Sequence, residues 1–422
     1  MKFINASLIK LALLTGALSN AVYSYSLFPV SRDNVYSQPG VFLNARSRAM
    51  GGGAEASSDS TRLSKTNPAS LANFKYGSFG LKYNSEAVDA TDGNSSNLIF
   101  SHRFSDISSA FSLREYGSIG FGIREIENID YFFADKAGNV DETFASGNTF
   151  SLFASYARSF FNRLDLGITA RNIFTKYERV LHEKGLGGSY GQYDSLIVNL
   201  KTTSWGAGVI YRSQMAPLNL GISFYKGYEA GTAAGSVYAY STSMLEDISY
   251  DPSGEPADTV YRDVGFYASE ISEETRKNFG GTGLADRLYL SMQSLPIGGK
   301  FTAGATVRID FLEKMAGYSG NGLRIGGGAE YVPSVKRNSH YLLRMPYRAG
   351  FFRHSWGYRD IVENGVSAGI GLDTKGRFGT ADLCFEFSRR RAAGTDYLEN
   401  CFRFIVEINS FGVWGKKRRL MR

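Results

Sequence analysis

The sequence predicts an all-β chain: a transmembrane antiparallel β-barrel of about 14 strands, with an N-terminal hatch segment ahead of it. Three observations predict this. Phe301, Ala303, Ala305, Val307, Ile309 and Phe311 alternate with Thr302, Gly304, Thr306, Arg308 and Asp310, and the same two-residue rhythm recurs from about residue 75 to the C-terminus. Successive strand side chains point to opposite faces, so one face is apolar and the other carries charge, hydroxyls and small residues. The chain also opens with an export signal, and no later apolar run is long enough for a membrane helix. Finally, the links between alternating segments fall in turn into a short and a long class, as periplasmic turns and outer loops do.

Residues 1–24 read as the signal. Lys2 and Lys10 flank or interrupt the apolar stretch from Leu8 to Leu18, and small residues follow, with cleavage after Ala21 or after Ser24. No Cys follows to take a lipid anchor. Residues 25–74 lack strand rhythm, are rich in Ser, Asn, Ala and Gly, and read as a plug with a short helix near Thr61 to Lys65.

Residues 75–414 read as the barrel. Strands are expected at 76–86, 96–113, 117–129, 148–160, 164–178, 195–212, 217–229, 286–296, 300–313, 322–333, 340–354, 364–373, 378–390 and 398–411. Short links near Tyr116, Asn162, Gln214, Gly298, Lys336 and Lys375 alternate with long ones near Asp135, Gly187, Asp251, Gly320, Trp356 and Gly394. This places both termini in the periplasm and the long loops outside, in the outer membrane of a diderm bacterium. The largest excursion, about 230–285, is mostly polar with a helical candidate near Glu270 to Asn278. It reads as a lid or capture surface, or as a disordered exposed loop. Residues 415–422 form a basic tail, either solvated or lying on anionic phospholipid. Phe411 or Trp414 before it suits the terminal aromatic that the barrel assembly machinery recognises.

The formal charge of +7 does not mark a nucleic-acid binder. Lys2 and Lys10 leave with the signal and Lys416, Lys417, Arg418, Arg419 and Arg422 sit in the tail, which leaves a body of zero net charge. Cys384 and Cys401 bracket a hairpin whose turn is expected near Ala392 and Ala393, so they would oppose each other directly, with Asp382 opposite Arg403 and Leu383 opposite Phe402. That register allows either a disulfide or two reduced inward thiols.

No enzyme signature stands. Gly187-Gly-Ser-Tyr-Gly191 with His182 matches a nucleophile-elbow string but lacks the strand-to-helix setting that exposes the serine. His102, His182, His340 and His354 are scattered without ligand spacing, so neither a metal nor a cofactor is expected. The inward charges Arg171, Arg308, Asp310, Arg324 and Glu330 read as a lumen network that holds the hatch.

The run Ala45-Arg-Ser-Arg-Ala-Met-Gly-Gly-Gly-Ala, then Asp59, then Asn67-Pro68-Ala69-Ser70-Leu71-Ala72, lies between an export signal and a first strand. It resembles the N-terminal hatch of the FadL/TodX family of outer-membrane transporters for hydrophobic compounds. Leu295-Pro296, Pro346-Tyr347-Arg348-Ala349-Gly350-Phe351 and Val366-Ser367-Ala368-Gly369-Ile370-Gly371 agree in style. Tyr116-Gly-Ser-Ile-Gly-Phe-Gly-Ile-Arg, with Asp135 and Gly138, resembles the PorV/PorQ branch of the same superfamily, whose members serve protein secretion.

The FadL/TodX resemblance implies passive uptake of a hydrophobic small molecule such as a long-chain fatty acid, captured at outer loops and gated by the hatch, with outer-membrane lipid around the wall. The PorV/PorQ resemblance implies a scaffold for a secreted protein partner, without solute transport. Hatch and gating positions are Gly51, Gly52, Gly53, Asn67, Pro68 and Ala69, in a plug that is either static or able to rearrange. Gly117, Gly120 and Gly122 mark either a kink that opens the wall or ordinary close packing. From composition alone, an outer apolar groove would draw on Tyr131, Phe132, Phe133, Tyr238, Tyr240, Met244, Leu245, Tyr250, Phe266 and Tyr267.

Overall fold

A computed structural model describes residues 38–39, 43–57, 63–75, 77–91, 96–134, 142–161, 163–183, 191–213, 215–228, 234–250, 256–270, 284–312, 320–334, 336, 339–357, 360–373, 379–391, 393 and 398–412. The expected signal segment, the basic tail and nearly all of the helical candidate near 270–278 lie outside them.

The first seven barrel strands are β1 (Gly77–Thr91), β2 (Ser96–Ser112), β3 (Ser118–Ala134), β4 (Glu142–Phe160), β5 (Leu164–Glu183), β6 (Gly191–Arg212) and β7 (Leu218–Tyr225). A hairpin follows, β8 (Ala234–Tyr250) and β9 (Pro256–Glu270). The wall then resumes with β10 (Asp286–Ser294), β11 (Phe301–Phe311), β12 (Gly322–Tyr331), β13 (Tyr347–Ser355), β14 (Val362–Asp373), β15 (Gly379–Arg391) and β16 (Leu398–Gly412). β7 pairs with β10 from Arg287↔Tyr225 to Ser294↔Leu218, and β16 pairs with β1 from Leu398↔Thr91 to Gly412↔Gly77. Fourteen of the described strands therefore close into an antiparallel barrel. Closure pairs the backbone groups of both outermost strands, which hydrocarbon would otherwise leave unsatisfied.

The alternation in β11 resolves as expected. Thr302, Thr306, Arg308 and Asp310 are buried inside, while Phe301 and Phe311 are exposed on the lipid face. The early strands run past the predicted ends: β4 begins at Glu142 rather than 148, and β5 continues to Glu183 rather than 178. Backbone pairing thus continues past the segments read from the sequence, from Glu142↔His182 downward.

The large excursion is in part a sheet rather than a plain loop. β8 and β9 pair from Pro256↔Tyr250 to Glu270↔Tyr238, and β8 adds to the upper part of β6 from Gly191↔Met244 to Lys201↔Ala234.

Three further expectations are corrected. The strand expected from 340 starts at Tyr347, after a helical turn α2 (Tyr341–Arg344). Pro346 holds Met345 in an extended conformation, with φ −72° and ψ 133°, and so ends the turn. No helix forms in the described part of the expected hatch helix, 63–65. The hatch instead has α1 (Ala45–Ala49) and a 3-10 helix at Pro68–Asn73.

Lastly, the β15–β16 register places Cys384 opposite Ile405 and Cys401 opposite Ser388, and both thiols are free and buried. Arg403 faces Glu386, Asp382 faces Glu407 and Leu383 faces Val406. The pairing lies four residues from the expected one because the turn sits further along the chain. That even offset preserves every inward and outward face.

Candidate functional site

The hatch lies inside the barrel, built from residues that could not lie elsewhere. The Asn44 side chain accepts from Ser47 N at 2.7 Å and caps α1. This short helix carries two arginines into the lumen. Arg46 grips Glu330 through Nε at 2.9 Å and a terminal nitrogen at 2.8 Å. Arg48 grips Glu386 at 3.0 and 3.2 Å. Fork-to-carboxylate pairs of this kind fix direction as well as distance. Each joins the wall: Glu330 also takes Arg348 at 2.7 Å, and Glu386 takes Arg403 at 2.6 Å. Glu407 accepts from Ala45 N at 2.6 Å, and Lys82 donates to Leu43 O at 2.8 Å.

Gly51, Gly52 and Gly53 then turn the chain against the wall. Gly51 and Gly52 have φ of 63° and 112°, a region glycine tolerates. A Cβ on Gly51 would strike the backbone of Phe351 and Gly327, and one on Gly53 would strike Gly304 O. Hatch and wall glycines thus meet backbone to backbone.

Asn67, Pro68 and Ala69 do a related job across the lumen. Asn67 Oδ1 accepts from Ala69 N at 3.0 Å, and its Nδ2 donates to Val209 O at 3.1 Å and Ile222 O at 3.4 Å. Pro68 opens the 3-10 helix, where its missing donor costs nothing. Gly167 and Gly208 leave the space this segment fills. The inward charges expected to hold the hatch, Arg171, Arg308, Asp310, Arg324 and Glu330, are all buried; Glu330 takes Arg46 of the hatch, Arg308 pairs with Asp310 at 2.7 Å, and Arg171 bonds neutral partners instead. The hatch cations Arg46, Arg48 and Lys65, which pair with Glu330, Glu386, Asp106 and Glu407 of the wall, were not singled out in the sequence. A basic residue inside a small-residue, otherwise apolar plug is the signal that could have found them.

Among the described strands the wall has a seam between β2 and β3. β1 pairs with β2 along its length, as β3 does with β4, but β2 pairs with β3 only from Asp106↔Arg124 down to Ser112↔Ser118. Both strands carry an extra residue where they part: Ser105 is skipped in the β1–β2 ladder and Ile126 in the β3–β4 ladder. Bulges bend a strand and strengthen its twist, so two at one level steer the strands apart. Arg103 reaches Glu125 at 2.9 Å across the parting, and residues Gln38–Pro39 pair with Asn128 and Glu127 on the freed edge of β3. Gly117, Gly120 and Gly122 lie below this level. A Cβ on Gly122 would strike Ile107 O, and one on Gly120 would touch Leu71, so these glycines serve close packing.

Behind the seam a small cavity separates hatch from wall. It is lined by Leu63, Ser64, Lys65 and Pro68 on one side and by residues including Arg124, Ile126, Ser151, Phe153, Arg171 and Tyr225 on the other. It has room for a water molecule or two, not for a lipid chain.

The residues expected to form an outer groove are placed only by backbone. Tyr131, Phe132 and Phe133 lie on upper β3, paired with Ala145, Phe144 and Thr143. Tyr238, Tyr240, Met244, Leu245 and Tyr250 lie on β8, and Phe266 and Tyr267 on β9. Among the described pairings none joins the β3 set to the hairpin, and their side chains lie outside the described residues. The Gly187–Gly191 string also lies mostly outside them.

The sequence model of the family described as BamG matches residues 2–420. The chain belongs to the BamG family. No curated protein sequence matches it. Among solved structures it is similar to the Pseudomonas putida toluene transporter TodX, with a TM-score of 0.60 and 13% identity over 90% of this chain and 99% of that one. It is also similar to a Pseudomonas aeruginosa FadL homologue, with a TM-score of 0.56 and 11% identity over 89% and 99% of the two chains. At such identity the likeness concerns the fold: this BamG-family chain is a barrel of the FadL/TodX outer-membrane type.

Proposed function

We propose that this chain is a plugged outer-membrane barrel that serves a protein assembly, working with the barrel assembly machinery rather than conducting a solute. The observation that carries the reading is the anchoring of the hatch. Two buried arginine forks tie α1 to Glu330 and Glu386, and the cavity lined by Ser64, Lys65 and Arg171 beside the hatch is too small for a lipid chain. Removing one partner of a buried pair leaves an uncompensated charge, so such a plug has no inexpensive open state. The name of the BamG family points to the same machinery. The tall sheet from β4 to β6, extended by β8 and β9, offers a broad outer surface for a protein.

The seam between β2 and β3 favours a second reading, in which a hydrophobic solute such as a long-chain fatty acid passes sideways between wall and bilayer. One experiment separates the two. The protein is purified from native outer membrane in mild detergent and examined by native mass spectrometry, beside a variant lacking residues 231–284. Stoichiometric assembly-machinery subunits on the intact protein support the first reading. A solitary barrel carrying fatty acid that the deletion loses contradicts it and supports the second.

A further inference from the structure

Arg171 on β5 is buried to 7% exposure on a stretch of wall, β4 to β7, where most inward neighbours are hydroxyl or apolar side chains. One terminal nitrogen donates to Ser204 Oγ at 2.7 Å and to Lys226 O at 2.8 Å, and the guanidinium lies 4.7 Å from the Tyr225 ring centre. All three partners are neutral. Among the described residues no carboxylate pairs with Arg171, and its Nε has no hydrogen-bond partner. Ser151 Oγ, 2% exposed on the same cavity wall, has none either.

The other cations at this cavity are already committed. Lys65 and Arg124 share Asp106 at 3.3 and 2.7 Å, and Lys65 also reaches Glu407 at 3.2 Å. Three cationic side chains therefore border one small space, and no carboxylate lines it. Arg171 Nε and Ser151 Oγ, on two residues that line it, are without partners among the described residues and can both donate. A buried charge without a counter-charge is expensive, and this one cannot be hydrated by bulk water.

The geometry points to a small inorganic anion site in this cavity, held by Arg171 Nε and Ser151 Oγ, with a halide such as chloride as its occupant. The cavity has room for an ion of that size and excludes the head and tail of an amphiphile. The site lies between the hatch residues Ser64, Lys65 and Pro68 and the wall, so the ion would join them. It stands independently of both readings of function.

The test uses the full mature protein in detergent with bromide replacing chloride. Diffraction at the bromine edge is expected to give an anomalous peak within hydrogen-bond distance of Arg171 Nε, lost in Arg171→Gln. At fixed ionic strength, exchanging gluconate for chloride is expected to raise the Tm saturably in the wild type. Ser151→Ala, which removes no charge, should move the midpoint of that titration several-fold to higher chloride. A cavity holding water alone in bromide, or a wild-type Tm indifferent to chloride, would overturn the proposal.

Discussion

From β10 round to β16 and on to β1, the inward positions carry Arg308, Asp310, Arg324, Glu330, Arg348, Asp382, Glu386, Arg403 and Glu86; from β4 to β7 they are mostly hydroxyls, Thr149, Ser151, Thr169, Thr175, Ser204 and Ser223, with Asp165 and Arg171 as the charged exceptions. The hatch meets these halves by different physics. On the charged half, α1 is held by directed ion pairs whose removal strands a partner. On the hydroxyl half, the 3-10 helix is held mainly by close backbone approach over Gly167 and Gly208 and by the Asn67 amide, with one charged contact at its end, where Asn73 donates to Asp165 at 2.7 Å. The seam lies at the boundary between them. Position of the plug is thus set by charge on one side, and fit is set by small residues on the other.

The sharpest way to break this contrast is Glu386→Gln, which leaves Arg48 and Arg403 short of a carboxylate. A loss of about 3–5 kcal/mol is expected, read as a fall in denaturant midpoint by intrinsic fluorescence. A loss below about 1 kcal/mol would show that the charged half does not hold the hatch. Next comes Gly167→Ala, whose Cβ would strike the backbone of Pro68 and Ala69. It should cost about 1–3 kcal/mol through overpacking alone, leaving the ion pairs in place.

Glu55 sharpens the comparison, because it is a hatch carboxyl that meets hydroxyls rather than arginines. Ser64 donates to it at 2.8 Å, and Thr66 also donates. Burial pushes its pKa up to about 7, opposed by the hydroxyls of Ser47 and Ser64. The folded form therefore binds the proton more tightly than the unfolded one. Its contribution is complete below the ordinary carboxylate range and is lost as pH rises through about 7. Hatch amides near Ser64 should exchange faster at pH 8 than at pH 6 after correction for intrinsic rates, and Glu55→Gln should flatten that difference. The smallest expected effect is that of reductant. Cys384 and Cys401 are free, so thermal unfolding should be unchanged by it, and alkylation after unfolding should count two thiols.

The same cysteines show what the sequence could and could not tell. Their inward facing was legible, because the face depends only on the parity of the alternation, and Asp382 and Arg403 stayed inside for the same reason. Their mutual distance was not legible, because register depends on where the turn falls. Fourteen strands were readable from lipid-facing residues such as Phe301 and Phe311, whereas the polar upper ends of β4 and β5 carry no lipid signal. Gly51 to Gly53 and Pro68 were legible as hatch positions of special backbone conformation, whereas their close approach to the wall and the Asn67 cap were not. The seam was hidden, since Ser105 and Ile126 are ordinary strand residues and only the ladders on either side reveal them as bulges. Neither could sequence show that Arg46 and Arg48 reach Glu330 and Glu386, which are 284 and 338 residues away.

The measurement that tests the sealed lumen most directly is ion conductance in a planar bilayer, comparing the wild type with the Arg46→Ala/Arg48→Ala double variant. The wild type should be silent, and the double variant should show openings as α1 leaves Glu330 and Glu386. Steady conductance through the wild-type barrel, unchanged by the double substitution, would contradict the account.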